Sequence, residues 1–234
     1  MSQKKSDPKV VIALDFANAE DALNFVKTVD ANKCRLKVGK ELFAVAGPEL
    51  VKSLVAQGFD VFLDLKYHDI PNTVAKAVQA AARMGVWMVN VHALGGRKMM
   101  QAAKQAIDEC EHKPLLIAVT VLTSMEQSDL EELGLPGSPR ENVLRFAKLA
   151  KDSGLDGVVC SAQEAADIRK EIGDDFCLVT PGIRPAGSAV NDQKRIMTPA
   201  DAMAAGSSYL VVGRPITQAE NPTSVLDAIN ESLA

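Results

Sequence analysis

Aromatic side chains are scarce in this chain: 4% of residues, with one Trp and two Tyr. That is too few for the stacking platforms on which single-stranded nucleic acids are seated. An excess of positive charge is missing as well. With 26 basic residues against 30 acidic ones the net charge is −4, which offers no electrostatic footprint to a polyanion or an anionic membrane. No apolar run approaches the ~20 residues of a membrane span. The opening segment, Met1 to Pro8, carries lysines but no apolar stretch suited to a signal peptide, and reads as a short solvated lead-in. There is no Cys-x-x-Cys pair; Cys34, Cys110, Cys160 and Cys177 are scattered, and His68, His92 and His112 lack ligand spacing. Free thiols in a reducing cytoplasm are therefore expected, rather than a disulfide framework or a zinc site. A Gly-x-Gly-x-x-Gly after the first strand is also absent, which weakens a dinucleotide-binding reading.

What is present is a 47% hydrophobic chain of 234 residues with a repeating pattern. Apolar, β-branched runs occur at 10–14, 35–38, 61–65, 88–91, 115–122, 157–160, 177–180 and 209–212. Helix-patterned segments at 18–29, 48–57, 73–84, 96–111, 140–153, 162–172, 198–205 and 223–233 fill the intervals. Asn18 suits an N-cap, Pro48 a first helical turn, and Gly58, Gly85, Gly154, Gly173 and Gly206 the ends of helices. Strand then helix, eight times over, predicts one (β/α)₈ TIM barrel spanning residues 1–234, with residues 1–8 as the lead-in. An open doubly wound sheet is the structural rival.

Four charged residues, Lys37, Asp64, Lys66 and Asp69, interrupt or closely follow these apolar runs. Unpaired charge is costly to bury, so their presence calls for partners or for a task. On an extended chain Phe62, Asp64 and Lys66 face one way and Leu63 and Leu65 the other. Lys37 shares a face with Arg35, opposite Leu36 and Val38, so simple exposure at a strand end does not explain it. Closing the sheet would gather Asp15, Lys37, Asp64, Lys66, His92, Thr123, Ser124, Ser161, Thr180, Gly213 and Arg214 at one mouth. Polar strand ends that merely enter solvent account well enough for Ser161 and Thr180. For the charge array the plain alternative is a salt-bridge network that braces the barrel.

The block Asp64-x-Lys66-x-x-Asp69-Ile-Pro-Asn-Thr73 resembles the hallmark of the orotidine 5′-phosphate decarboxylases. So do Leu14-Asp15, Leu36-Lys37-Val-Gly39, Val121-Leu-Thr-Ser124, Thr180-Pro-Gly-Ile-Arg-Pro185, Asp192-Gln193 and Val212-Gly-Arg-Pro215, in that order along the chain. The resemblance implies a homodimeric enzyme, with active sites completed across the interface and no metal or organic cofactor, that converts orotidine 5′-phosphate to uridine 5′-phosphate. It implies Lys66 as proton donor to C6, Asp64 beside the leaving carboxylate, and Lys37 completing the charge network and contacting the ribose. Asp69 and Thr73 would reach into the partner's site. Asp15 would bind a ribose hydroxyl, with Thr123 and Ser124 near ribose and base. Arg184, Gln193, Gly213 and Arg214 would grip the phosphate, and the Gly- and Pro-rich loop 181–197 is expected to close over it.

Elementary chemistry agrees with these roles. Loss of CO₂ from the ring leaves a carbanion that no ring carbonyl accepts by simple delocalisation, so the protein must stabilise it electrostatically. A protonated lysine among carboxylates offers both charge and a proton. A substrate carboxylate about 4 Å from Asp64 would be repelled by about 4 kcal/mol at an effective dielectric near 20. That is too little for a very large acceleration, so stabilisation by Lys66 is the larger effect. Two rival functions remain. One is a magnesium-dependent sugar-phosphate decarboxylase or aldolase of the same barrel type, against which Lys37 stands where such enzymes place an acidic metal ligand. The other is an idle barrel that binds nucleotide without releasing CO₂.

Overall fold

Each apolar run becomes a strand, and each strand lies parallel beside the next in chain order. They are β1 (Val10–Leu14), β2 (Arg35–Gly39), β3 (Val61–Tyr67), β4 (Met88–His92), β5 (Leu115–Val119), β6 (Gly157–Val159), β7 (Cys177–Thr180) and β8 (Tyr209–Val212). β8 pairs with β1, which closes the barrel and rules out the open sheet. The structure, a computed structural model, describes residues 7–185 and 197–233. The lead-in therefore lies largely outside the described residues.

Helices cover the outside: α1 (Ala19–Val26), α2 (Lys40–Ala56), α3 (Pro71–Arg83), α4 (Gly96–Asp108), α5 (Gln127–Glu132), α6 (Pro139–Asp152), α7 (Ala165–Ile172), α8 (Pro199–Ala204), α9 (Arg214–Thr217) and α10 (Pro222–Glu231). The expected caps are in place. Asn18 accepts a hydrogen bond from the Asp21 N–H at 2.9 Å, and the five expected end glycines all have positive φ. α2 starts well before Pro48 because Lys40–Ala46 is itself helical; Gly47, at φ 66°, breaks the helix and Pro48 restarts it. α5 and α9 were not expected, being too short for a periodicity to show. Among the described residues no helix is long and apolar enough to cross a membrane.

Strand alternation splits the core in two. Ile12, Leu14, Leu36, Val38 and Leu63 pack outward against the helices, whereas Val11, Ala13, Phe62, Met88, Ile117, Val179 and Val211 fill the barrel. Arg35 plugs the end formed by the strand N-termini. It pairs with Asp7 at 2.9 Å and Asp60 at 3.3 Å, and its guanidinium carbon lies 4.2 Å from the Trp87 ring and 4.7 Å from that of Tyr209. Lys37, two residues on, is directed inward toward the opposite end. The four cysteines are unpaired, and burial raises the Cys34 thiol to about 12, which leaves it unreactive near neutrality.

The barrel interior tolerates little added volume. A Cβ on Gly157 would lie 2.2 Å from the Cys177 carbonyl oxygen, on the strand that Gly157 pairs with. Gly157→Ala is expected to lower stability by about 1–3 kcal/mol, as overpacking does. Urea unfolding measures it, and an unchanged midpoint would contradict the packing described.

Candidate active site

The mouth at the strand C-termini opens into a cavity of about 480 Å³, a size suited to a small-molecule ligand. Its floor is apolar: Ala13, Phe62, Val119, Val159 and Val211 come from the inward faces of five strands. Charge is confined to the rim. Among the described residues Lys37, Lys66, Arg184 and Arg214 face Asp15 and Asp64 there, four cations against two carboxylates, a balance that favours an anionic ligand.

Asp64 is the hub. Lys66 Nζ donates to its Oδ1 at 2.6 Å, and Lys37 Nζ lies 3.4 Å from its Oδ2. Lys37 also lies 3.6 Å from Asp15 Oδ1, which places its ammonium between two carboxylates. Asn90 Nδ2 donates to the same Asp64 oxygen as Lys66, at 2.7 Å. Burial alone would raise the Asp64 carboxyl's pKa. The charges of Lys37 and Lys66 and the hydrogen bonds from Lys66 and Asn90 outweigh that effect and hold it below the usual carboxylate range. The glycine of the Leu36-Lys37-Val-Gly39 block has a steric reason here, since a Cβ at Gly39 would come within 3.2 Å of Lys37 Nζ.

β3 is not a regular strand where it carries this array. Its pairing with β4 shifts between Leu63 and Tyr67, and Lys66 takes φ 52°. No other non-glycine described residue has a positive φ. That conformation costs of order 1–3 kcal/mol and persists only where its surroundings enforce it. The predicted faces nevertheless hold: Phe62, Asp64 and Lys66 line the cavity, while Leu63 and Leu65 pack outward.

At the other side of the mouth Arg184, after β7, is buried beside Arg214, after β8. Its Nη1 donates to the Ile183 carbonyl at 2.9 Å, and its Nε has no hydrogen-bond partner among the described residues. Burial first, and then the charge of Arg214, lower its pKa. Two neighbouring guanidiniums at the mouth of a cavity are an anion-binding arrangement. Gly213 precedes α9, the short extra helix after the last strand where such barrels commonly bind phosphate. Asp15, just after β1, stands between this end and the lysine end, and Thr123 lines the cavity after β5.

Not every expected residue reaches the cavity. Asp69 and Thr73 are exposed and do not line it, so among the described residues Lys66 pairs with one carboxylate, that of Asp64. Asp69 Oδ1 instead accepts from the Ile70 N–H at 2.6 Å. Ser124 is exposed and outside the lining. Ser161 and Thr180 do not enter solvent as expected: both are buried outside the lining, where Ser161 forms a capping box with Glu164 and Thr180 donates to Ser207 Oγ at 2.9 Å. His92 stacks on His68 with ring centroids 5.7 Å apart, and its Nδ1 accepts from the Leu94 N–H. Burial, reinforced by His68, Lys66 and Lys40, lowers its pKa to about 4. Gln193, and most of the loop expected to close, lie outside the described residues. The sequence reading missed Gln218, which lines the cavity, and Asn90. Asn90 was legible as the one polar residue in the run Met88 to Val91, with the parity of an inward position.

The family described as "Orotidine 5'-phosphate decarboxylase / HUMPS family" matches residues 8–229. The chain is 72% identical over 227 residues to the orotidine 5′-phosphate decarboxylase of Hydrogenovibrio crunogenus, covering 97% of this chain and 96% of that protein. It is 64% identical over 229 residues to that of Aliivibrio fischeri, covering 97% and 98%. A crystal structure of orotidine 5′-phosphate decarboxylase from Lactobacillus acidophilus superposes with a TM-score of 0.87 at 42% identity, covering 97% of this chain and 99% of the other. The enzyme of that name from Pyrococcus horikoshii superposes at 0.77 and 26% identity, covering 96% and 98%.

Two titrations follow from the site. His92 is neutral at pH 7, and its imidazole proton resonances should show a midpoint at about 4; a midpoint near 6.5 would mean that the ring is not buried as described. Asp64 has a depressed pKa, so the stability it contributes is complete above the ordinary carboxylate value near 4 and is lost as the pH falls through its lower folded value. The stability gap between wild type and Asp64→Asn in denaturant unfolding should be constant from pH 8 to 5 and narrow below about pH 4. A gap that widens in acid would reverse the sign.

Proposed function

The chain belongs to the orotidine 5′-phosphate decarboxylase / HUMPS family, and on that footing we propose that its cavity converts orotidine 5′-phosphate to uridine 5′-phosphate and CO₂. This is the final step of pyrimidine nucleotide synthesis, and the protein is a carboxy-lyase. The observation that carries the residue roles is the Lys66 ammonium, which faces the cavity at 2.6 Å from the buried Asp64.

The phosphate sits at Arg184, Arg214 and Gly213, with Gln193 as a further contact, and Asp15 and Lys37 bind the ribose. The pyrimidine then lies over the apolar floor, with C6 toward Lys66 and Thr123 beside it. Ser124 completes the ribose and base contacts. The bond from C6 to the carboxyl carbon breaks, its electron pair stays on C6, and neutral CO₂ leaves. Lys66 neutralises the developing charge and transfers an N–H proton to C6; solvent then reprotonates the amine. Asp64 repels the substrate carboxylate, and that repulsion vanishes as CO₂ forms. Binding at the remote phosphate holds the pyrimidine in this geometry.

No step in this scheme uses a metal or an organic cofactor. The magnesium-dependent alternative needs an acidic ligand at the end of β2, where Lys37 already places a cation between Asp15 and Asp64. Asp69 and Thr73, exposed and outside their own chain's cavity, serve the site of a second copy in a homodimer. The unpaired cysteines fit a cytoplasmic location.

Lys66→Ala is expected to fold and to bind uridine 5′-phosphate while its turnover falls by at least about 10³-fold. Following the ultraviolet change of the pyrimidine in the presence of a chelator checks both points. Near-wild-type turnover of the variant would overturn the role of Lys66, and loss of wild-type turnover on chelation would overturn the cofactor-free scheme. The shared site has its own test. Lys66→Ala and Asp69→Ala proteins, each inactive alone, should regain activity when mixed and allowed to exchange subunits, because one site of the mixed dimer is intact. No recovery despite demonstrated exchange would place Asp69 within its own chain's site.

A further inference from the structure

Asn90 is fully buried on β4, among residues that otherwise fill the barrel with apolar groups. The irregular pairing of β3 gives it a task. Leu63 is in register with Val89 and Tyr67 with Val91, so a four-residue step on β3 spans a two-residue step on β4. N–H groups within that step lose their regular ladder partners. The N–H of Lys66 is one of them, and it donates to Asn90 Oδ1 at 2.7 Å. The other end of the same amide donates to Asp64 Oδ1 at 2.7 Å, and that oxygen accepts from Lys66 Nζ at 2.6 Å. A ring of hydrogen bonds thus runs from the Lys66 backbone through Asn90 and Asp64 back to the Lys66 side chain.

Few side chains fit this position. It needs an acceptor for an N–H and a donor for a carboxylate, both fixed on one short rigid group, which is what a primary amide offers. An aspartate presents acceptors at both ends and sets a second carboxylate against Asp64. An alanine or leucine leaves the Lys66 N–H without an acceptor. The charged groups around the amide are Asp64 and Lys66 of β3, with Lys37 of β2 on the far oxygen of Asp64; the paired position on β5 is the apolar Ile117.

We propose that Asn90 is a positioning residue for the decarboxylation, holding Lys66 in its left-handed backbone conformation and fixing Asp64 so that the ammonium is aimed at the reacting carbon. The proposal rests on Lys66 being the proton donor. It places the effect of Asn90 on turnover and not on affinity, because the groups assigned to the phosphate belong to β7, β8 and the segments after them.

The experiment compares wild type, Asn90→Ala and Asn90→Asp for kcat and KM with orotidine 5′-phosphate, Kd for uridine 5′-phosphate, and Tm. In Asn90→Ala, kcat should fall by about 100-fold, the usual scale for a misplaced catalytic group, while KM and Kd move by less than about 3-fold. In Asn90→Asp the introduced carboxylate repels Asp64 at pH 8. As the pH falls to 5 it gains a proton, becomes a donor to Asp64 again, and kcat should climb by at least about 10-fold relative to wild type. Equal kcat in all three proteins overturns the proposal. So does a loss of kcat matched by equal losses in Kd and Tm, which would mark a purely structural role. If Asn90→Ala does not fold, Asn90→Asp decides alone, because it keeps the volume and the acceptor for Lys66; a kcat that tracks wild type at every pH overturns the proposal. A wild type that releases no CO₂ overturns the decarboxylase reading itself, and the wild-type arm reports that separately.

Discussion

A carboxylate that the barrel has almost removed from water governs the site. Asp64 is 9% exposed, and burial on that scale disfavours its charge unless cations and donors supply compensation. Three neighbouring strands provide it: Lys37 from β2, Lys66 from β3 itself and Asn90 from β4. The compensation works in both directions, since each lysine is held inside the mouth by the same anion. Without Asp64 two ammonium groups would face each other across an apolar floor. Closure of the barrel in chain order is what makes these three strands adjacent, so fold and charge array are one arrangement.

The distribution of charge around the cavity follows the chemistry assigned to it. The guanidinium groups after β7 and β8 suit a dianionic phosphate, and in the proposed scheme Lys37 of β2 and Asp15, just after β1, meet the ribose while Lys66 of β3 meets the pyrimidine. An apolar floor keeps water from the reacting carbon and strengthens the field of a nearby ammonium. The left-handed backbone at Lys66 belongs to this arrangement. It interrupts the ladder where the side chain must leave the strand direction, and a side-chain amide replaces the lost backbone pairing. The strain at Lys66 is tolerated because its surroundings over-determine it.

Much of this could be read from residues alone. The eight-fold strand–helix alternation specified the barrel because both faces of a covered parallel sheet are apolar and glycines close the helices. Lys37, Asp64 and Lys66 stood out because charge inside an apolar run has few innocent explanations. Their common face came from strand parity, although the strand departs from regular geometry at Lys66. Asn90 escaped notice because an amide in an apolar run is less conspicuous than a charge. Its meaning lies in the slipped register of β3 on β4, a tertiary feature with no local signal. Asp69 and Thr73 show the converse. Their sequence neighbourhood joins them to the site, yet in one chain they face outward, and the role assigned to them requires a second copy.

The central claim is that the Lys66 ammonium, fixed by Asp64, meets C6 of the pyrimidine. A crystal structure with uridine 5′-phosphate bound tests it most directly. The account predicts Lys66 Nζ within about 3.5 Å of C6, with the phosphate on Arg184 and Arg214. A nucleotide bound with C6 turned away from Lys66, or with Lys66 swung into solvent, would contradict it.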